Sequence, residues 1–181
     1  MSKGFAVGRL DVRAFAEQGG RLAGEDTVVA HERLAAETRG RDGDRAVTWS
    51  VRGEMRNRGH HQPEIWLHLQ ARTVLSLICQ RCLAPVLVPV VVERPFRFVA
   101  DEQTAAAEDD ESDEDVLALS NGFDVMELIE DELLMELPVA PRHDVCPEPV
   151  KSVAADPEFG QVSEERQSPF ALLEKLRANK N

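Results

Sequence analysis

The sequence predicts an α+β protein, an antiparallel β-sheet with flanking helices and a disordered acidic linker. A long run of alternating apolar and polar residues before a Cys-x-x-Cys and a second strand-like, Val- and Pro-rich run after it indicate a sheet over roughly residues 27 to 98. A 3.6-residue apolar stripe indicates a helix near residues 125–137, and an acidic run lies between the two. We therefore expect one domain with three parts: an N-terminal helix and sheet (1–100), a disordered linker (101–120) and a helical segment packed on the sheet (121–181).

The first elements follow from caps and alternation. Residues 9–18 are typical of a short helix ended by two glycines, with Asp11 as the N-cap and Phe15 in the core. Residues 27–34 are predicted as a strand. A firmer strand follows at residues 47–56, because apolar and polar side chains alternate there.

The Cys pair is predicted in the turn of a β-hairpin. Residues 65–77 alternate with period two up to Cys79, and a Val- and Pro-rich run begins at Pro85, just beyond Cys82. The prolines of that second run favour an edge strand or a bulge, because proline cannot donate a ladder hydrogen bond.

The second half begins with charge and ends in helices. Residues 101–115 contain nine acidic residues and no basic one, which predicts a disordered or solvated linker. Asp124 is expected to cap a helix that runs to Leu137 and ends before a proline. Residues 168–177 have the cap and the apolar stripe of a short terminal helix.

Charge is distributed unequally along the 181 residues. The net charge is −12, with +4 on residues 1–100 and −16 on residues 101–181. The second half therefore favours basic partners, while the first could tolerate nucleic acid. No apolar run is long enough to span a membrane, and the start lacks a secretory signal, so a cytoplasmic protein with reduced thiols is expected. No phosphate loop, metalloprotease or nucleophile-elbow motif occurs, which argues against an enzyme and a small-molecule substrate.

Cysteine and histidine spacing supports a metal site. Cys79, Cys82, His143 and Cys146 form two short pairs on either side of a long stretch, as a tetrahedral zinc site requires. Reduced structural cysteines explain the pattern equally well. Redox chemistry is the weakest alternative, because the pair lacks the helix N-terminus that lowers a cysteine pKa.

Arginines of the second predicted strand and the loop after it are candidates for RNA contact. They are Arg52, Arg56 and Arg58, and their alternative is an ordinary charged sheet edge. Few aromatic residues are available for base stacking, since the chain contains no tyrosine.

Three ordered motifs together resemble the YceD family of bacterial large-ribosomal-RNA accumulation proteins. They are Cys79-Gln80-Arg81-Cys82 after a β run, residues 127–138 leading into Pro141-Arg142-His143, and the closing residues 168–176. The resemblance implies a role in the synthesis, processing or stability of 23S rRNA, with no known enzymatic activity. It also implies that Cys79 and Cys82 match the cysteine pair of the family and that His143 and Cys146 match its downstream His and Cys.

These observations favour a non-enzymatic ribosome-biogenesis factor that binds basic ribosomal proteins or assembly factors. A zinc-stapled RNA-binding module that contacts rRNA directly is one alternative. An rRNA-processing nuclease is another, and it would require carboxylates that converge on a divalent-metal cleft.

Overall fold

The computed structural model describes residues 5–57 and 63–148. The helices are α1 (Val12–Glu17), α2 (Glu32–Glu37), α3 (Glu102–Asp109) and α4 (Val125–Met135). The strands are β1 (Arg21–Thr27), β2 (Ala46–Arg56), β3 (Glu64–Ile78), β4 (Pro85–Val99) and β5 (Asp115–Ala118), and short 3₁₀ turns occupy Val7–Arg9 and Val28–Ala30. All of these elements belong to the first of two compact units, Met1–Val145, and the second unit is Cys146–Asn181.

One five-stranded sheet, in the order β1-β2-β3-β4-β5, organises the fold. β1 to β4 pair antiparallel, whereas β5 pairs parallel with the end of β4. The α+β class is confirmed, the strands over the predicted residues pair antiparallel, and β5 from the acidic segment adds one parallel strand. A parallel neighbour requires a crossover connection, and α3 provides it.

The main core lies on one face of this sheet. Inward side chains of β2 and β3, such as Val51 and Leu69, are buried together with Phe15 of α1 and Ile129 of α4. α1 sits close to β2 at Gly53, where an added Cβ would lie 2.8 Å from the Cα of Ala16. Glycine at this position therefore permits the close approach of helix and strand.

Two predicted elements near the N-terminus are confirmed. The first helix is α1, where the Asp11 side chain accepts the backbone N–H of Ala14 at 3.0 Å and Phe15 is fully buried. The firmer predicted strand is β2. Its partner β3 ends in the predicted hairpin turn, and β4 follows.

Residues 27–34, predicted as a strand, are mostly helical. A 3₁₀ turn at Val28–Ala30 leads into α2, and both Val28 and Leu34 are fully buried. The Glu130 carboxylate of α4 accepts the first backbone N–H groups of α2, from Arg33 at 2.7 Å and Leu34 at 3.1 Å. A contact over this sequence distance overrides the local β propensity.

The acidic linker, predicted to be disordered, contains α3 and β5. Asp101 caps α3 by accepting the Thr104 N–H at 2.8 Å, and Asp109 accepts the N–H of Val116 in β5 at 2.9 Å. Arg97 of β4 forms ion pairs with the carboxylates of both Glu108 and Glu114. The segment is ordered because its carboxylates cap backbone groups and pair with a cation that lies outside the acidic run.

α4 confirms the helix predicted after the acidic run. Asp124 is its N-cap and accepts the backbone N–H groups of Met126 at 2.9 Å and Glu127 at 3.2 Å. The helix ends at Met135, two residues before the predicted end at Leu137. The predicted terminal helix at residues 168–177 lies outside the described residues.

Candidate metal centre at the hairpin tip

The Cys pair occupies a tight turn between the two longest strands. β3 ends at Ile78 and β4 begins at Pro85, so residues 79–84 make the connection. The Cys79 N–H donates to the Ala84 carbonyl at 3.0 Å, and the Leu83 N–H donates to the Cys79 carbonyl at 2.9 Å. These bonds hold both cysteines at the end of a rigid hairpin rather than at a helix N-terminus.

The segment after α4 returns to this turn. The Gln80 N–H donates to the carbonyl of Pro141 at 2.8 Å, which fixes the chain next to the turn. His143 follows two residues later, and its Nδ1 lies 3.4 Å from the Cys82 Sγ. A single backbone bond thus brings a side chain 61 positions away to the Cys pair.

The His143 ring is oriented as a metal ligand requires. Its Nε2 lies 3.0 Å from the carbonyl oxygen of Pro85. Because a carbonyl only accepts, Nε2 carries a proton, and in the neutral imidazole Nδ1 then presents its lone pair towards the Cys82 sulfur. A backbone carbonyl bound to the second ring nitrogen is the usual support of a metal-binding histidine.

Four ligand atoms converge at this point. The sulfurs of Cys79, Cys82 and Cys146 and a ring nitrogen of His143 all lie within 4.8 Å of one another. Zn–S bonds of about 2.3 Å in a tetrahedron place two sulfurs about 3.8 Å apart, so small shifts would suffice to enclose an ion. None of the three cysteines forms a disulfide. Three thiol sulfurs and one imidazole are the donor set of a structural zinc site, and the group can hold such a metal.

Cys79 has the electrostatics of a thiolate ligand. It is fully buried, and burial raises the pKa of its thiol. Backbone N–H groups of Cys82, His143 and Arg81 donate to the sulfur and lower the pKa to about 5. These hydrogen bonds outweigh burial and favour the thiolate, the form that binds metal.

The predicted RNA-contact arginines lie elsewhere, on the polar side of β2. Arg52 and Arg56 both form ion pairs with Glu54 at 3.0 Å, and Arg56 also stacks over the Trp66 ring at 4.2 Å. His68 of β3 lies 2.8 Å from the same carboxylate. The structure does not bring these residues near the cysteines, and Arg58 is outside the described residues.

Glu54 is the centre of this group. Hydrogen bonds from Arg56 and His68 outweigh the effect of desolvation and lower the pKa of Glu54 to about 2. The signal was present in the sequence, because Arg52, Glu54 and Arg56 share one face of a period-two strand. A carboxylate between two arginines reduces the positive potential that a phosphate would meet.

Residues 5–57 and 63–148 contain one group of potential metal ligands. No other set of three or more His, Cys, Asp or Glu side chains in that part of the chain brings its ligand atoms as close together. Within the same residues, no helix combines the length and the apolar character needed to cross a membrane.

Comparison with known proteins places the chain in a family. No solved structure matches it. The family model described as "Large ribosomal RNA subunit accumulation protein YceD" matches residues 67–177, well over half of the chain, including the hairpin and every candidate metal ligand. The chain therefore belongs to the YceD family, whose name assigns it a role in the accumulation of large-subunit ribosomal RNA.

Proposed function

We propose that this chain is a non-enzymatic factor of large-subunit assembly that acts in the cytoplasm by binding basic ribosomal proteins or assembly factors. Accumulation of 23S rRNA, through its synthesis, processing or stability, would then reflect protection of the assembling particle. The family match supports the ribosomal role. An exposed set of unpaired carboxylates supports the mode of binding.

The observation that supports this mode of binding is that the acidic segment is folded and that some of its carboxylates have no cationic partner among the described residues. Five of its nine carboxylates cap backbone groups or pair with arginines of β4. The other four form what we call the acidic surface, and none has a cationic partner among the described residues: Glu102, Asp110, Glu111 and Asp113. A preformed charged surface binds with a smaller ordering cost than a disordered tail does.

Charge-neutral variants test this surface. We expect replacement of its four carboxylates by Gln or Asn to weaken capture of purified large-subunit ribosomal proteins, more at low salt than at high salt. A matched control replaces four exposed carboxylates of the N-terminal half: Glu17, Glu25, Glu32 and Glu37. Equal losses in both variants would mean that net charge alone matters and would contradict a specific surface.

Nuclease treatment separates this proposal from direct RNA binding. If proteins bind the acidic surface, capture from cells persists after RNA is digested. If capture disappears, rRNA is the tether and the RNA-binding module is the better description. The pairing of Arg52 and Arg56 with Glu54 favours the first result.

We also propose that the four-ligand group holds zinc. Zinc would tie His143 to the hairpin turn and so fix the segment that follows α4 against β4. Elemental analysis of the purified protein would give about one zinc per chain. A processing nuclease would instead need grouped carboxylates, and the group found in residues 5–57 and 63–148 is made of thiols and an imidazole.

A further inference from the structure

A groove lies at the hairpin tip, between β4 and the segment that follows α4. Six of the residues that line this hairpin-tip groove are Arg81, Leu87, Pro89, Pro138, Arg142 and Asp144. Leu87 is 61% exposed, and Val139, beside Pro138, is fully exposed. Exposed aliphatic side chains that are grouped in this way mark a contact surface more often than scattered ones do.

Leu83, in the same turn as Arg81, has an unusual backbone. Its φ is 63°, in the left-handed region that favours glycine, and its side chain is 73% exposed. Its N–H closes the turn onto the Cys79 carbonyl, a role that any residue except proline can fill. Neither the turn nor the core requires a leucine here, so a strained and exposed leucine indicates a use outside the fold.

Charge distinguishes this groove from the acidic surface. Among the described residues, the guanidinium groups of Arg81 and Arg142 have no hydrogen-bonded or ion-paired partner, whereas those of Arg94 and Arg97 are both ion-paired. The lining contains these two arginines and one carboxylate, that of Asp144. The lining therefore combines apolar and polar side chains, with an excess of positive charge.

We propose that the hairpin-tip groove binds a protein segment that carries apolar and acidic side chains together. The acidic side chains would pair with Arg81 and Arg142, and the apolar ones would cover Leu87 in the groove and Leu83 in the adjoining turn. A peptide is favoured over RNA because aliphatic residues such as Leu87 and Pro89 line the groove, and the imidazole of His143 is the single ring in that lining on which a base could stack. The groove lies outside the acidic segment. Its partner would be acidic, whereas the partner proposed for the acidic surface is basic.

A random peptide-display library selected on the full-length protein tests the chemistry without a known partner. We expect the selected peptides to be enriched both in Asp or Glu and in Leu, Ile or Phe. Enrichment in basic residues, or no enrichment at all, would overturn the proposal.

Variants then locate the binding of a selected peptide, measured by fluorescence anisotropy. We expect Leu83→Gly to weaken it by about tenfold or more without lowering the melting temperature, because glycine relieves the left-handed strain. The double variant Arg81→Ser, Arg142→Ser should weaken it similarly and remove most of its salt dependence. The control is Val29→Ser, at an exposed valine of the 3₁₀ turn before α2.

Two results would refute the location or the ligand class. Unchanged affinity in both groove variants would place the binding elsewhere. A labelled oligouridine that binds more tightly than the peptides, and loses affinity in the arginine variant, would make the groove a nucleic-acid site. Either failure leaves the acidic surface untouched, since none of its four carboxylates is altered.

Discussion

Glu130 of α4 caps the N-terminus of α2, and its replacement with alanine removes this cap. The side chain of His31, the N-cap residue of α2, makes no capping hydrogen bond. Glu130 of α4 fills this role, because its Oε1 accepts the N–H groups of Arg33 and Leu34 and its Oε2 pairs with the Arg33 guanidinium at 3.0 Å. The Glu130 side chain is only 12% exposed, so water replaces it poorly.

The expected cost follows from those contacts. Loss of a capping oxygen costs about 1 kcal/mol and at most about 2 kcal/mol. The ion pair adds about 0.2 to 1 kcal/mol, because half of the Arg33 side chain is exposed. The free energy of unfolding should fall by about 2 kcal/mol, which corresponds to about 4–8 °C in melting temperature for a chain of this size.

Urea denaturation followed by tryptophan fluorescence measures this change, with two variants for comparison. Arg33→Ala keeps both backbone caps and should cost less than about 1 kcal/mol. Glu127→Ala alters an exposed carboxylate of the same helix and should stay within about 0.5 kcal/mol. The reasoning is refuted if Arg33→Ala destabilises as much as Glu130→Ala does.

The pH dependence of Glu130 gives an independent check. Burial raises the pKa of its carboxyl group, but hydrogen bonds from the Leu34 N–H and from Arg33 outweigh burial and hold the pKa below its usual value. A lowered folded pKa contributes stability above the unfolded pKa, and that stability disappears as pH falls through the folded pKa. Wild type should therefore lose more stability on acidification below about pH 4.5 than Glu130→Gln does.

Three further predictions concern the metal centre, the α1 contact and the Glu54 group. Cys82→Ser and His143→Ala should each reduce bound zinc from about one per chain towards none, and a zinc-free wild type would contradict the site. Gly53→Ala should destabilise by about 1–3 kcal/mol in urea, because its Cβ would meet backbone atoms of α1, whereas Gly43→Ala should stay within about 0.5 kcal/mol. Glu54 has a folded pKa of about 2, so it stabilises above its ordinary pKa of 4.5, and up to about 1 kcal/mol should be lost between pH 4.5 and pH 2 but not in Glu54→Gln.

Local signals predicted the elements whose sequence patterns are local. Period-two alternation predicted β3, the Val- and Pro-rich run predicted β4, and the two together predicted the hairpin turn that holds Cys79 and Cys82. Asp124 and the apolar stripe after it predicted α4. Each of these patterns depends on neighbours within a few residues, so the sequence alone contains the information.

Distant charges decided the elements that sequence reasoning missed. The acidic segment reads as disordered because it contains no cation, yet Arg97 of β4 pairs with it and α3 forms. The residues after Thr27 have β propensity, yet they lead into helix α2, whose N-terminus is capped by Glu130 of α4. Arg97 and Glu130 both lie outside the segments that they order. A short stretch of sequence around either segment therefore does not contain the residue with which it pairs.

The candidate metal centre shows the same division between local and distant information. The sequence by itself determined the ligand types and their two short spacings, which are local facts. Only the tertiary structure decided that they meet, because the Gln80 N–H binds the Pro141 carbonyl and so brings His143 to the Cys82 sulfur. The strength of such a hydrogen bond does not depend on how far apart its two residues lie in the sequence. Which backbone groups pair is therefore set by the fold and not by a local pattern.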